Sequence, residues 1–261
     1  MGNPLNHKAR KRFGQNFLHD DNVIHQIILA ISPQADEHLV EIGPGQGAIT
    51  ESLLATKCQL NVIELDRDLV VELNKRFSQL QNFNLHSADA LEFDFASLTI
   101  DKKLRIVGNL PYNISTPLLF HLLNYAEYIQ DMHFMLQKEI VNRLQAGPGS
   151  KKYGRLSIMI QRFCQVEALF DVGPESFDPQ PKVTSSIVRL TPHSTTKYPI
   201  NDSTFFNTLV AQAFSQRRKT IRNSLKNVCT SSELEQANIN PSLRAENLSI
   251  DDFVRLSNQL S

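Results

Sequence analysis

The chain of 261 residues has no net charge, 27 Lys and Arg standing against 27 Asp and Glu. Bulk charge therefore carries no polyanion signature, and any basic surface has to come from distribution. Cysteine is scarce: Cys58, Cys164 and Cys229 are scattered without metal-ligand spacing. They leave no candidate metal site and read as small buried hydrophobes, reduced in a cytosolic protein. Long apolar runs are missing too, and none approaches the length that spans a bilayer. The opening MGNPLNHKARKRFGQNFL is basic but lacks the continuous apolar core of a secretory signal, so a cytoplasmic location is expected. No internal repeat or low-complexity tract is present.

What is there is the composition of a folded globular protein, 41% hydrophobic and 21% charged, with length for one large domain and a small one. Positive charge gathers in HKARKR (His7 to Arg12) and QRRKTIRNSLK (Gln216 to Lys226). Most such runs are solvated faces. In the second, a helix would align Arg218 with Arg222 and Lys219 with Lys226 in a stripe suited to a phosphate backbone.

Apolar runs alternate with amphipathic segments. HLVEIG (38–43), LNVIEL (60–65), FNLHSA (83–88), LRIVGN (104–109) and MHFML (132–136) read as strands. Helices are predicted over 22–32, 48–55, 67 to about 80, 115 to about 126, and 155–164. This alternation predicts an α/β fold with a mostly parallel sheet covered on both faces. VEALFDV (166–172) and SSIVRLT (185–191) are joined without a helix and should form an antiparallel pair closing one edge. TPHSTTKYPIND (191–202) reads as a linker, and the helical spacings beyond it as a small all-helical domain.

VEIGPGQGAIT (40–50) places Gly43, Gly45 and Gly47 between the first of these strands and a helix, where backbone can approach a ligand closely. Alone this is weak, since many strand-to-helix turns need glycine for geometry only. Glu64, in VIELD, is the acid expected about 20 residues on to accept from ribose hydroxyls. That pair fits NAD and S-adenosylmethionine equally. Glu41 and the SADAL stretch after the third strand tip the balance toward the latter. Asp89 is placed to accept from an adenine amino group; taken alone, it serves equally well as a helix cap for ALEF.

GNLPYN (108–113) closes the fourth strand, and ligands of open α/β sheets lie outside the carboxyl ends of the strands. Pro111 lacks an N–H and keeps Leu110 extended, so carbonyls can point inward as unpaired acceptors. An adenine amino group is a poor nucleophile because its lone pair is delocalised. The Asn109 side-chain oxygen and the Leu110 carbonyl, accepting its two hydrogens, would favour a pyramidal nitrogen and meet the charge that develops there. Tyr112 would stack on the base, with Phe177 on the proline-rich loop ESFDPQPKVTSS as the second aromatic. A plain turn with a packed tyrosine explains Pro111 but not the flanking amide and ring.

The glycine loop and the later acids resemble the class I S-adenosylmethionine-dependent methyltransferases. FGQNFL (13–18), GNLPYNIST (108–116), QKEIVNRLQAGPGSKKYGRLS (137–157), FDPQPKVTS (177–185) and AFSQRRKTIRNSL (213–225) together resemble the bacterial ribosomal RNA adenine dimethyltransferases over nearly the whole chain. The resemblance implies a Rossmann-like domain with a mostly parallel seven-stranded sheet over residues 1–192, a linker over 193–200 and a small helical RNA-binding domain over 201–261. It implies S-adenosylmethionine as cofactor, held by Asn16, Leu18, Gly43, Gly45, Glu64, Asp89 and Asn109. Asn109, Leu110, Pro111, Tyr112 and Phe177 would form the transfer site, and no metal is called for. Its substrate would be N6 of two adjacent adenosines in the 3′-terminal hairpin loop of 16S ribosomal RNA, giving N6,N6-dimethyladenosine, with a role in small-subunit biogenesis. Lys8, Arg10, Lys11, Arg12, Arg217, Arg218, Lys219 and Arg222 would meet the RNA. Nothing demands a dimer or a membrane. Competing readings are a large-subunit adenine methyltransferase of the macrolide-resistance type, a non-catalytic assembly factor, and an NAD oxidoreductase.

Overall fold

The computed structural model describes Arg10 and residues 14–99, 102–195 and 197–261. Nine strands are found among them: β1 (Phe17–Leu18), β2 (His38–Ile42), β3 (Gln59–Glu64), β4 (Phe83–Ser87), β5 (Leu104–Asn109), β6 (Ile129–Gln137), β7 (Cys164–Val172), β8 (Phe177–Asp178) and β9 (Ser185–Pro192). Seven form one sheet in the order β4-β3-β2-β5-β6-β9-β7. The pairs from β4 through β6 are parallel, and β9 runs antiparallel to β6. Strand β7 lies beside β9 at that edge, where the sequence placed the two runs. Strand order reverses at β2, which has β3 on one side and β5 on the other, and this opens a crevice outside their carboxyl ends.

Burial explains the apolar runs. Leu39, Val40 and Ile42 of β2, Leu60, Val62 and Ile63 of β3, and Ile106 and Val107 of β5 are almost wholly buried, as expected of strands covered on both faces. Helix α1 (Asp21–Ile31) starts where Asp20 accepts from the N–H groups of Asn22 and Val23, and buries Ile24, Ile27 and Ile31. Helix α2 (Ala48–Ala55) follows the glycine loop. Helix α3 (Arg67–Phe77) is capped by Asp66 and buries Leu69, Leu73 and Phe77, at steps of four. Helix α4 (Ser115–Leu123) follows the β5 strand end.

Two short strands had no signal in the sequence. Strands β1 and β8 pair antiparallel, Phe17 with Asp178 and Leu18 with Phe177. Two-residue strands carry no period, so only the fold reveals them. Helix α5 (Lys138–Leu144) follows β6, and α6 (Arg155–Gln161) ends before the predicted 164 because Cys164 already belongs to β7.

The chain divides into two compact units: the described residues of Met1–Val141 with Glu167–Pro192, and Asn142–Val166 with His193–Ser261. The second unit holds α6 with α7 (Ser203–Phe214), α8 (Ile221–Ser224), α9 (Ser231–Gln236) and α10 (Ile250–Leu260). Residues 142–166, placed by the sequence in the first domain, belong with this unit. Gly149 N–H donates to Glu246 O at 2.7 Å, and Arg217 donates to Lys151 O at 2.6 Å and Tyr153 O at 3.1 Å. The basic segment is not the single helix its spacing predicted. Helix α7 stops at Phe214, and Thr220 is extended, bridging to Arg244, before the four residues of α8 begin.

No helix among the described residues is long and apolar enough to cross a membrane. All three cysteines are buried free thiols.

Candidate active site

Within the first unit, a cavity of about 290 Å³ opens at the carboxyl ends of β2, β3 and β5. Its wall includes every cofactor and transfer residue expected from the sequence: Asn16, Leu18, Gly43, Gly45, Glu64, Asp89, Asn109, Leu110, Pro111, Tyr112 and Phe177. Gly43 takes a φ of 66° and donates its N–H to Ile63 O at 3.0 Å. Gly45, at φ 57°, lies so close to Phe17 that an added Cβ would come within 3.0 Å of the ring. Both positions need glycine, one for the turn and one for the turn and the approach of β1.

Three carboxylates border the cavity on the side of β2, β3 and β4. Glu41 is 1% exposed and accepts from Thr50 Oγ1 at 2.6 Å. Burial pushes its carboxyl up to about 7 against the Thr50 bond, and neighbouring Glu64 adds to the rise. Glu64 is likewise pushed up to about 7 by burial, although the N–H groups of Asp66, Leu65 and Gly45 pull the other way. Asp89 Oδ1 accepts from Leu91 N–H at 2.9 Å, so it caps a turn, while Oδ2 has no partner among the described residues. The cap is real but uses one oxygen and caps no helix. Among the described residues no cation pairs with Glu41, Glu64 or Asp89. An apolar cavity edged by carboxylates that no cation neutralises fits a ligand that brings hydroxyl and amino hydrogens, as an adenosyl group does.

Across the cavity, Asn109 closes β5, and its Nδ2 donates to Asn16 O at 3.2 Å. That bond fixes the amide, so Oδ1 is the acceptor facing away from Asn16. Leu110 donates its N–H to Met135 O at 3.2 Å, and no described residue donates to its carbonyl. Pro111 O accepts from Ile114 N–H at 3.2 Å, which tightens the turn. The Tyr112 hydroxyl bonds Ser185 Oγ at 2.9 Å, tethering the ring to the start of β9. Phe177 is not a loop residue: it opens β8, pairs with Leu18 and is 2% exposed.

A family model described as ribosomal RNA adenine dimethylase matches residues 6–261. The chain belongs to this family. It is 55% identical over 262 residues to the Ribosomal RNA small subunit methyltransferase A of Pseudomonas putida, covering all of this chain and 98% of that one. Among solved structures it is similar to a dimethyladenosine transferase from Plasmodium falciparum, with a TM-score of 0.79, 27% identity, and coverage of 92% of this chain and 95% of that one. The 23S rRNA methyltransferase ErmE has the same fold, with a TM-score of 0.72 at 24% identity over 94% of this chain and 99% of that one. The protein is thus an rRNA adenine dimethyltransferase, and a nicotinamide oxidoreductase is set aside.

The basic residues fare unevenly. Lys8, Lys11 and Arg12 lie outside the described residues. The Arg10 guanidinium is engaged internally, donating to Asp66 Oδ1 at 2.7 Å and pairing with Asp68. Arg217 is spent on Lys151 O, Tyr153 O and Glu246 Oε2. Arg218, Lys219 and Arg222 are exposed, without side-chain partners among the described residues. The sequence also missed Gln15 and Asp66, which hold the segment carrying Asn16. Neither sits in a spacing that signals chemistry.

Proposed function

We propose that the protein transfers methyl groups from S-adenosylmethionine to N6 of two adjacent adenosines near the 3′ end of 16S ribosomal RNA, giving N6,N6-dimethyladenosine. The observation that carries this reading is the pair of acceptors at the β5 end. Asn109 Oδ1, oriented by the bond from Nδ2 to Asn16 O, and the Leu110 carbonyl border the same cavity as Glu64 and Asp89. Small-subunit specificity is supported by the 55% identity to an enzyme named for that subunit, against 24% to one named for 23S rRNA.

Glu64 would accept from the ribose hydroxyls and the second oxygen of Asp89 from the adenine amino group, with the backbone at Gly43 and Gly45 against the methionine end. When bound, S-adenosylmethionine supplies an electrophilic methyl on a sulfonium centre. The protein's part is to prepare the nucleophile. Asn109 Oδ1 and Leu110 O accept the two N–H groups of the target amine, which favours a pyramidal nitrogen and a localised lone pair. Positive charge grows on that nitrogen as the bond forms, fixed acceptors stabilise it without reorganising, and the nitrogen then loses a proton to solvent; the methylamino group left behind offers its one remaining N–H in the second transfer. Tyr112, tethered through Ser185, would hold the base by stacking, and Phe177 would close the pocket from β8. Asn109 and Pro111 together set the position from which attack is in line.

The test uses tritiated S-adenosylmethionine and undermethylated small subunits. Label is expected in N6,N6-dimethyladenosine of 16S RNA; label confined to large-subunit RNA, DNA or protein would overturn the reading.

A further inference from the structure

Asp66 lies two residues past Glu64, in the turn from β3 into α3, and is 1% exposed. Its N–H donates to Glu64 Oε1 at 2.7 Å. Its Oδ1 accepts from Arg10 Nη1 at 2.7 Å and from Asp68 N–H at 3.2 Å, and its Oδ2 from Gln15 Nε2 at 3.2 Å. Gln15 is held at its other end, where Oε1 accepts from Arg10 N–H at 2.8 Å. Directly after Gln15, the Asn16 carbonyl accepts from the Asn109 amide, and Phe17 and Leu18 then pair with β8. Residues 14–18 therefore run along the cavity wall from the β3–α3 turn, which follows Glu64, to the strand that carries Phe177. Asn109 is bonded to the middle of this segment.

We propose that the Gln15–Asp66 contact is a positioning clasp for Asn109. By fixing residues 14–18 it keeps the Asn16 carbonyl where the Asn109 Nδ2 must donate to it, which leaves Oδ1 for the substrate amine. The oxygen and nitrogen of an amide are nearly equal in size, and the terminal torsion of Asn is broad, so packing alone does not choose between the two orientations. A flipped Asn109 would set an N–H against the N–H of the target. A hydrogen bond to a fixed carbonyl decides the matter, and the clasp fixes that carbonyl. Asp66 gives its N–H to Glu64 and its carboxylate to the segment, so the ribose end and the transfer end share one residue. A helix cap for α3 needs only the bond from Asp68 and leaves Gln15 dispensable.

The inference rests on the function proposed above, and three variants test it: Gln15→Ala, Gln15→Glu, and Gln15→Glu combined with Asp66→Asn. The second removes the donor and sets like charges together; the third restores a hydrogen bond with its direction reversed. Single-turnover transfer is expected to fall roughly tenfold in Gln15→Ala, within the range that small misplacements of a reacting group produce. It should fall further in Gln15→Glu and recover most of the loss in the double variant. The melting temperature should move little in Gln15→Ala, and cofactor affinity by calorimetry, since Asn16 and Leu18 ride on the same segment, should fall less than transfer measured at saturating cofactor. The side-chain amide of Asn109, identified by the NMR signal lost in Asn109→Ala, should exchange slowly in the wild type and quickly in Gln15→Ala, with no turnover involved. An unchanged amide exchange, a loss confined to cofactor affinity, or a double variant no faster than Gln15→Glu overturns the clasp. A wild type that transfers nothing to small subunits overturns the proposed substrate instead, and the amide signal still reads the clasp.

Discussion

The same strands end in opposite kinds of polarity. At the amino end of the sheet, Arg105 near the start of β5 donates to Asp131 of β6 at 3.0 Å, to Glu37 just before β2 at 2.7 Å, and to Ile31 O at 2.6 Å. Asp131 sits below the ordinary carboxylate range: burial pushes it up, but the hydrogen bonds and charge of Arg105, with His133 3.5 Å away, outweigh that. At the carboxyl end, Glu41, Glu64 and Asp89 have no such cation among the described residues, and Asn109 Oδ1 and Leu110 O have no donor there. Carboxylates locked onto a buried guanidinium hold the fold, whereas acceptors that border a cavity with no cation beside them are left to meet a ligand's hydrogens.

The largest effect should come from breaking the ion-paired end. Arg105→Met leaves Asp131 and Glu37 uncompensated, and urea unfolding should show a loss of about 3–5 kcal/mol. Cofactor affinity should survive in the folded fraction, which separates the two ends. The next test turns on pH. Glu41 and Glu64 rise from about 4.5 to about 7 in the folded protein, which therefore holds their protons more tightly than the unfolded chain. Stability in the absence of cofactor should fall as pH rises through that interval, by a few kcal/mol. Glu64→Gln should flatten part of the slope, and a profile identical to wild type would remove Glu64 from the account.

A smaller effect is expected at the base. Tyr112→Ala should weaken RNA binding by about 1–3 kcal/mol, the range for a lost stack. Tyr112→Phe, which loses only the Ser185 bond, should retain most of the affinity. The smallest belongs to the exposed basic residues of the second unit. Reversing Arg218 and Lys219 to Glu should weaken small-subunit binding most at low salt and flatten the salt dependence by about one to two in log–log slope. Unchanged binding across a salt series would make them a solvated surface.

The site was legible wherever its residues are neighbours in sequence. Asn109, Leu110, Pro111 and Tyr112 form one stretch after an apolar strand, and the glycine loop announces itself in the same way. Glu64 and Asp89 followed from strand spacing, and Asp89 proves to serve a local cap and leave an oxygen over. What could not be read depends on pairing across the chain. Phe177 reads as a loop residue because its partner Leu18 is far away in sequence. Arg218 and Arg222 have helical spacing, yet the backbone of Thr220 is drawn into a bridge with Arg244 that no local pattern foretells. Arg10 is basic like its neighbours, and only the fold brings it to Asp66 and Asp68.

The central claim is that an unsatisfied acceptor at the end of β5 does the chemistry. Single-turnover methyl transfer to small subunits by Asn109→Ala, with S-adenosylmethionine at saturation fixed by calorimetry, tests it most directly. A rate about 10²- to 10³-fold below wild type at an unchanged melting temperature is the predicted result; transfer at the wild-type rate from the saturated variant would contradict it.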